Sequence, residues 1–174
     1  FDAAFVLFSC KTPLIAAVQG AAVGGGLGVA CFADFRVAAH EARFTANFAR
    51  LGFHHGFGLT VTLPGLVGQQ KALELLYTGA RIKGEEAVAI GLADKLAPLQ
   101  ELRATALEFA GEIAASAPLA VESIRETMRG HLPEAIKSAT DREKEEQDHL
   151  RTTDDWKEGV NAMNQRRLPN FSRR

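Results

Sequence analysis

The sequence has very few cysteines. Cys10 and Cys31 are the only two in 174 residues, and both lie in apolar surroundings. Two thiols cannot form a four-cysteine metal site or the disulfide framework of a small secreted protein. Long apolar runs are absent too, since none approaches the roughly 18 to 20 residues that cross a bilayer, and the start lacks a secretion signal. We therefore predict a soluble protein of the reducing cytoplasm, without membrane binding.

An excess of charge of either sign is also missing. The 20 basic and 21 acidic residues give a formal net charge of -1 at pH 7. This balance argues against attraction of the whole chain to nucleic acid or anionic lipid. Apolar residues make up 47% of the chain, which excludes disorder, and the length allows one or two compact units.

Glycine is unevenly distributed, and its distribution divides the chain. All but three of the 16 glycines lie in residues 1–92, whereas most charged residues follow. Short apolar runs predict strands over 14–18, 35–39 and 42–45, and a short helix over 27–33. From Leu59 the pattern becomes helical, with one helix over 69–77. Four glycines are predicted stops, namely Gly65, Gly68, Gly79 and Gly91. We divide the chain into residues 1–97 and residues 98–174.

Beyond Pro98 the sequence predicts helices alone. Apolar residues recur at helical spacing from Leu99 to Ile113, and again at Val121, Ile124, Met128 and Leu132. Each stripe should pack one helix face on another surface. The segment 141–149 is almost wholly charged or polar, so we expect a solvated helix face without a function there.

Three consecutive glycines, residues 24–26, lie between a predicted strand and a predicted helix. Glycine lets a backbone approach a ligand closely, and N–H groups at the positive end of a helix stabilise a negatively charged oxygen. A mononucleotide phosphate loop is excluded because no lysine follows the cluster. A dinucleotide fingerprint is disfavoured because Val29 holds the third glycine position and Asp34 comes too early. Two possibilities stay open: a site for the oxyanion of a thioester carbonyl, and a tight turn without a ligand.

Several motifs, in the same order along the chain, resemble the crotonase, or enoyl-CoA hydratase/isomerase, superfamily. They lie at residues 13–20, 24–26, 33–38, 76–82, 87–92, 154–159 and 166–171. The resemblance implies an α/β fold, a crotonase-like spiral of strand-strand-helix turns followed by a C-terminal helical trimerisation region. It implies a homotrimer or a dimer of trimers that acts on acyl-CoA, with coenzyme A as part of the substrate and no separate cofactor or metal.

The resemblance also assigns the backbone N–H of Gly25 as the second donor of an oxyanion hole. The first donor would come from a segment upstream of Phe1. Because the chain begins at Phe1 without an initiator Met, we expect a longer parent protein.

The sequence departs from the hydratases at both acid-base positions. The hydratases of the superfamily use two glutamates, and Gly28 and Phe48 stand at those positions. Neither residue transfers a proton, which argues against a two-glutamate addition of water. His54 and His55 are the replacement candidates, because imidazole titrates near neutrality, and the sequence does not rank them. A hydrogen-bonded loop pair is the alternative, and no third ligand supports a metal site.

The remaining candidates bind substrate. Around the acyl group we expect Gly24, Gly26, Gly28, Phe48 and Phe53, although phenylalanines at this spacing, Phe57 included, are also typical of a core. For coenzyme A we expect Arg166, Arg167 and Phe171, because guanidinium groups suit phosphate oxygens. A frayed tail is an equal alternative for Arg173 and Arg174. Asp34 should be structural, since a buried carboxylate needs local hydrogen bonds.

Two functions therefore compete. The first is an acyl-CoA enzyme that stabilises a thioester oxyanion with backbone amides and uses an acid-base group other than glutamate. The second is a catalytically silent acyl-CoA binding protein, which the loss of both glutamates favours. A nucleotide-dependent oxidoreductase is a third possibility that the glycine spacing disfavours.

Overall fold

A computed structural model of the chain describes residues 10–174. Within them the strands are β1 (Ile15–Val18), β2 (Ala21–Val23), β3 (Phe35–Ala39), β4 (Arg43–Thr45), β5 (Arg81–Lys83) and β6 (Lys95–Ala97). The helices are α1 (Gly25–Phe32), α2 (Leu59–Val67), α3 (Gln69–Thr78), α4 (Gly84–Ala89), α5 (Leu102–Ala114), α6 (Pro118–Arg129), α7 (Leu132–Leu150) and α8 (Asp154–Asn164), with a 3-10 turn at Ala49–Leu51.

The strands form two small sheets that the chain visits in turn. In one sheet the order is β1-β3-β6, and both pairs are parallel. In the other the order is β2-β4-β5, with β2 parallel and β5 antiparallel to β4. The chain therefore runs strand, strand, helix from β1 through β2 to α1. This order confirms the predicted α/β fold.

The strand β3 lies at the centre of the core. Four of its five residues are buried, as expected for a parallel strand covered on both faces. Helices α4 and α5 both pack against it. On the α5 side, the rings of Phe35 and Phe109 lie 4.9 Å apart, and the Lys95 ammonium sits 4.1 Å from the centre of the Phe109 ring.

The helix predicted over 69–77 is confirmed as α3. It ends at Gly79, whose φ of 57° is left-handed and whose N–H bonds to the Leu75 carbonyl. One predicted stop is wrong, because Gly65 lies inside α2, beside Pro64. The sequence does not predict the short strands β2, β5 and β6, since three residues show too little of the alternation that marks a strand.

The prediction that residues 98–174 form helices and no strands is confirmed.

Helix α6 is attached to the core by a buried ion-pair cluster of Asp34, Arg125 and Arg129. Asp34 accepts hydrogen bonds from the Leu14 N–H, from Arg125 and from Arg129. These contacts support its predicted structural role. The apolar stripe of α6 faces outward within the described chain, where Ile124 and Met128 are 63% and 68% exposed.

Candidate active site

The glycine cluster forms the turn between β2 and α1. Gly24 has a φ of 54°, which only glycine adopts easily, and its N–H donates to the Thr45 carbonyl of β4 at 2.9 Å. Helix α1 begins at Gly25, and the first N–H groups of a helix have no partner within it. No side chain of residues 10–174 caps this helix start. The turn therefore presents backbone donors at the positive end of α1.

Within the described part of the chain, the rings of Phe48 and Phe57 pack against this turn. A Cβ added to Gly25 would lie 2.7 Å from Phe57 Cε2, and one added to Gly28 would overlap the Phe57 Cβ. A Cβ added to Gly24 would lie 3.7 Å from Phe48 Cζ. Gly25 and Gly28 are one helical turn apart, so both leave room for the same Phe57 ring. A side chain as large as glutamate at position 28 would therefore collide with Phe57.

His54 and His55 stack on each other, with ring centres 4.1 Å apart. His54 Nδ1 lies 2.8 Å from the His55 carbonyl oxygen. Because a carbonyl only accepts, His54 carries a proton on Nδ1. The side-chain amide of Gln147 on α7 donates to the His54 carbonyl at 3.0 Å and connects this loop to α7.

The side chain of His55 is largely enclosed, with 18% of its surface exposed. Its Nε2 is 2.8 Å from the Thr60 hydroxyl, and its ring centre is 6.4 Å from that of Phe48. Burial and the neighbouring His54 ring lower the pKa of His55 from 6.5 to about 4. His55 is therefore neutral at pH 7. The ring centres of Phe48 and Phe53 are 5.6 Å apart. Because Phe48 also lies beside Gly24, it connects the histidine loop to the glycine turn.

A buried carboxylate that our sequence analysis missed, Glu143, lies 3.8 Å from His55 Nε2. Glu143 on α7 is 1% exposed and accepts from the N–H groups of Gly58 and Thr60 at 2.9 and 3.1 Å. The expected solvated face over 141–149 is therefore wrong for Glu143 and for Gln147, which are both buried. The spacing of Ile136, Thr140, Glu143 and Gln147 is the helical 4-3-4 pattern of one buried face, and this was the available signal.

The candidates for coenzyme A lie on the C-terminal segment. The Arg167 guanidinium binds the Glu158 carboxylate at 2.5 and 2.7 Å and lowers the pKa of Glu158 to about 2. Arg166 is exposed and has a left-handed φ of 54°. Phe171 lines a cavity of about 420 Å³ that also touches Ala49 and Gly52. Within residues 10–174, the hydrogen bonds of Arg167 go to Gln165, Glu158 and Leu168, and none reaches the glycine turn.

Arg50 connects the 3-10 turn at Ala49–Leu51 to the end of α3. Its guanidinium donates to the Thr78 carbonyl at the end of α3, which supports a scaffolding role.

Within residues 10–174, no group of three or more His, Cys, Asp or Glu side chains has the arrangement of a metal site. In the same residues no helix combines the length and apolar character needed to span a membrane.

Comparison with known sequences decides the family. A family model described as enoyl-CoA hydratase/isomerase matches residues 2–174. The chain belongs to the enoyl-CoA hydratase/isomerase family. It is 37% identical over 165 residues to the short-chain-enoyl-CoA hydratase of Clostridium acetobutylicum, which covers 94% of this chain and 63% of that protein. The (E)-benzylidenesuccinyl-CoA hydratase of Thauera aromatica is 33% identical over 172 residues, covering 91% of this chain and 62% of that protein.

Solved structures of the family share the fold. The crystal structure of an enoyl-CoA hydratase/isomerase from Pseudoalteromonas atlantica superposes with a TM-score of 0.88 at 30% identity, over 97% of this chain and 68% of that one. The chain spans less than two thirds of the length of the two hydratases compared above, 63% and 62% respectively. The superposition confirms the predicted crotonase-like α/β fold with its C-terminal helices, and the trimerisation role of those helices stays a prediction.

Proposed function

We propose that the protein is an acyl-CoA enzyme that polarises the thioester carbonyl with the backbone N–H of Gly25 and moves a proton with His54 or His55. The observation that supports it is the helix start at Gly25, which no described side chain caps. Phe48 lies beside the neighbouring Gly24 and contacts the ring of His55, on which His54 stacks. The hydratases to which the chain is similar act on CoA esters, as their names state.

The proposed chemistry follows from charge. When a base removes a proton from the α carbon, or a nucleophile adds to the carbonyl carbon or to a conjugated β carbon, negative charge develops on the thioester carbonyl oxygen. An N–H donor aimed at that oxygen lowers the barrier, and removing one such donor typically costs about 10² to 10³ in rate. A neutral imidazole accepts the proton and becomes an imidazolium, which returns the proton in a later step. Hydration, isomerisation, hydrolysis and C–C cleavage all fit this scheme.

The aromatic side of the site suits an apolar acyl group. Phe48 and Phe53 form an edge-to-face pair beside the glycine turn, and Phe57 occupies the space where the Cβ atoms of residues 25 and 28 would lie. We propose that these rings exclude water from the thioester. The contact of Arg166 or Arg167 with CoA phosphates, the homotrimer or dimer of trimers, and the cytoplasmic location stay predictions.

The test is turnover by the full-length protein of a panel of enoyl-, 3-hydroxyacyl- and β-ketoacyl-CoA esters, followed by mass spectrometry. We expect a product from at least one ester, and a loss of about 10² to 10⁴ in rate for His54→Ala or for His55→Ala. His131→Ala, at an exposed position, is the matched control and should keep the rate. Tight binding of the esters without any product would replace the enzyme with the silent binding protein.

A further inference from the structure

Glu143 is a buried carboxylate that the proposed chemistry does not use. Besides the two N–H groups of Gly58 and Thr60, it accepts the Thr60 hydroxyl at 2.7 Å. The same hydroxyl lies 2.8 Å from His55 Nε2. Carboxylate, hydroxyl and imidazole thus form one continuous chain of hydrogen bonds, which runs from the interior at α7 to the histidine loop.

The direction of each hydrogen bond in this chain is determined. A carboxylate only accepts, so the single hydroxyl proton of Thr60 points to Glu143. The hydroxyl oxygen can then only accept from His55, and His55 Nε2 must carry a proton. In the neutral ring the lone pair is therefore on Nδ1, and Nδ1 has no hydrogen-bond partner among residues 10–174.

We propose that Glu143 is a positioning residue, which acts through the Thr60 hydroxyl to hold His55 as the Nε2–H tautomer with Nδ1 ready to accept a proton. The catalytic consequence rests on the proposed function, because it requires His55 to be the acid-base group. The tautomer itself does not depend on that function, and it is measured separately.

Charge reinforces this arrangement. Within residues 10–174, two titratable side chains face the His55 ring: His54 stacks on it, and Glu143 Oε1 lies 3.8 Å from Nε2. An imidazolium formed at Nδ1 would be stabilised by the Glu143 carboxylate, which opposes the effects of burial and of His54. Loss of the carboxylate should therefore make His55 harder to protonate.

The experiment is nitrogen NMR of the isotope-labelled full-length protein, in which the shifts of the two ring nitrogens report the tautomer. In the wild type we expect His55 as Nε2–H and His54 as Nδ1–H. In Thr60→Val the ratio of Nε2–H to Nδ1–H rings at His55 should fall about fivefold or more, because its acceptor is lost. Glu143→Gln should act in the same direction.

The controls separate this effect from a general disturbance. Thr60→Ser keeps the hydroxyl and should keep the tautomer, as should Glu145→Gln at an exposed position on the same helix. The His54 ring is an internal control, since a backbone carbonyl sets its tautomer. If Glu143→Gln fails to fold, Thr60→Val still decides, because it keeps both backbone bonds to Glu143.

Two results would overturn the proposal: a His55 that is not Nε2–H in the wild type, or one that stays Nε2–H in Thr60→Val. Turnover gives a separate answer. If the tautomer changes in Thr60→Val but His55→Ala keeps full activity, the positioning of His55 stands and its role in the proposed function fails.

Discussion

Phe57 combines a strained backbone with a tight contact. Its φ of 62° is left-handed, a conformation that costs a non-glycine residue about 1 to 3 kcal/mol, and its ring lies on Gly25 and Gly28. Phe57 lies between Gly56 and Gly58. The packing of this ring therefore compensates for a backbone that the residue does not favour.

Gly28→Glu tests this account of Phe57. The new side chain would overlap the ring, so we expect the free energy of unfolding to fall by about 2 kcal/mol or more. Phe57→Gly should restore part of this loss in the double variant, because it removes the obstacle and the strain together. Denaturant unfolding of the two single variants and the double variant gives the coupling. Additive losses would show that Phe57 does not exclude a side chain at position 28.

His55 should make stability depend on pH. Its pKa is about 4 in the folded protein against 6.5 in the unfolded chain, so the unfolded chain binds more protons between these values. Stability is therefore complete above about pH 6.5 and declines by roughly 2 to 3 kcal/mol as the pH falls to 4. His55→Gln should remove this part of the slope, whereas His131→Gln, which is exposed, should not. Equal slopes for wild type and His55→Gln would contradict the lowered pKa.

At the scale of elements, α6 depends on Asp34. Arg125 and Arg129 reach from this helix to one carboxylate that is 8% exposed. Asp34→Asn leaves both guanidinium groups without their buried counter-charge, so we expect a loss of about 3 to 5 kcal/mol of unfolding free energy. Asp141→Asn, at an exposed i,i+4 pair with Lys137, is the control and should change stability by less than about 0.5 kcal/mol. Comparable losses in both variants would refute the anchoring role.

The elements also show which features the sequence could predict. Local signals sufficed for β3, a short run that is apolar except for Arg36, and for α3, whose end at Gly79 is a left-handed glycine. The buried role of Glu143 depends on the N–H of Gly58, 85 positions away, and no local pattern reports such a pairing. The 4-3-4 spacing on α7 indicates that Glu143 faces inward, but only the position of the start of α2 shows which groups it accepts from.

In the candidate site, too, contiguous motifs were predictable from the sequence, whereas contacts between distant residues were not. The glycine turn and the histidine loop were predictable because each is a contiguous motif with its own chemistry. The tautomers of the two histidines were not, since they depend on a neighbouring carbonyl and on Thr60. The collision between Phe57 and position 28 was equally hidden, because it joins residues from two separate elements.

At the scale of the whole molecule, the C-terminal segment folds back on the start of α8. The Asp155 carboxylate accepts from the N–H groups of Ser172 and Arg173 at 2.6 and 2.9 Å, and the Asp155 N–H donates to the Arg174 carbonyl. The frayed tail considered for Arg173 and Arg174 is therefore not what the structure shows. This contact closes one side of the cavity that Phe171 shares with Gly52.

Asp155→Asn should release this segment. We expect hydrogen exchange at the Ser172 and Arg173 amides to accelerate about fivefold or more, since each loses a charged acceptor. Asp154→Asn is the matched control, because the neighbouring carboxylate binds Lys157 instead. Equal exchange in both variants would mean that Asp155 does not hold the C-terminus.

The most direct measurement is the stretching frequency of the thioester carbonyl of an isotope-labelled acyl-CoA bound to the full-length protein, by infrared difference spectroscopy. A carbonyl that accepts from a backbone amide at a helix start is polarised, so its band should move below the frequency of the same ester in water. A band at or above the frequency in water would contradict a role for the Gly25 turn in stabilising the oxyanion.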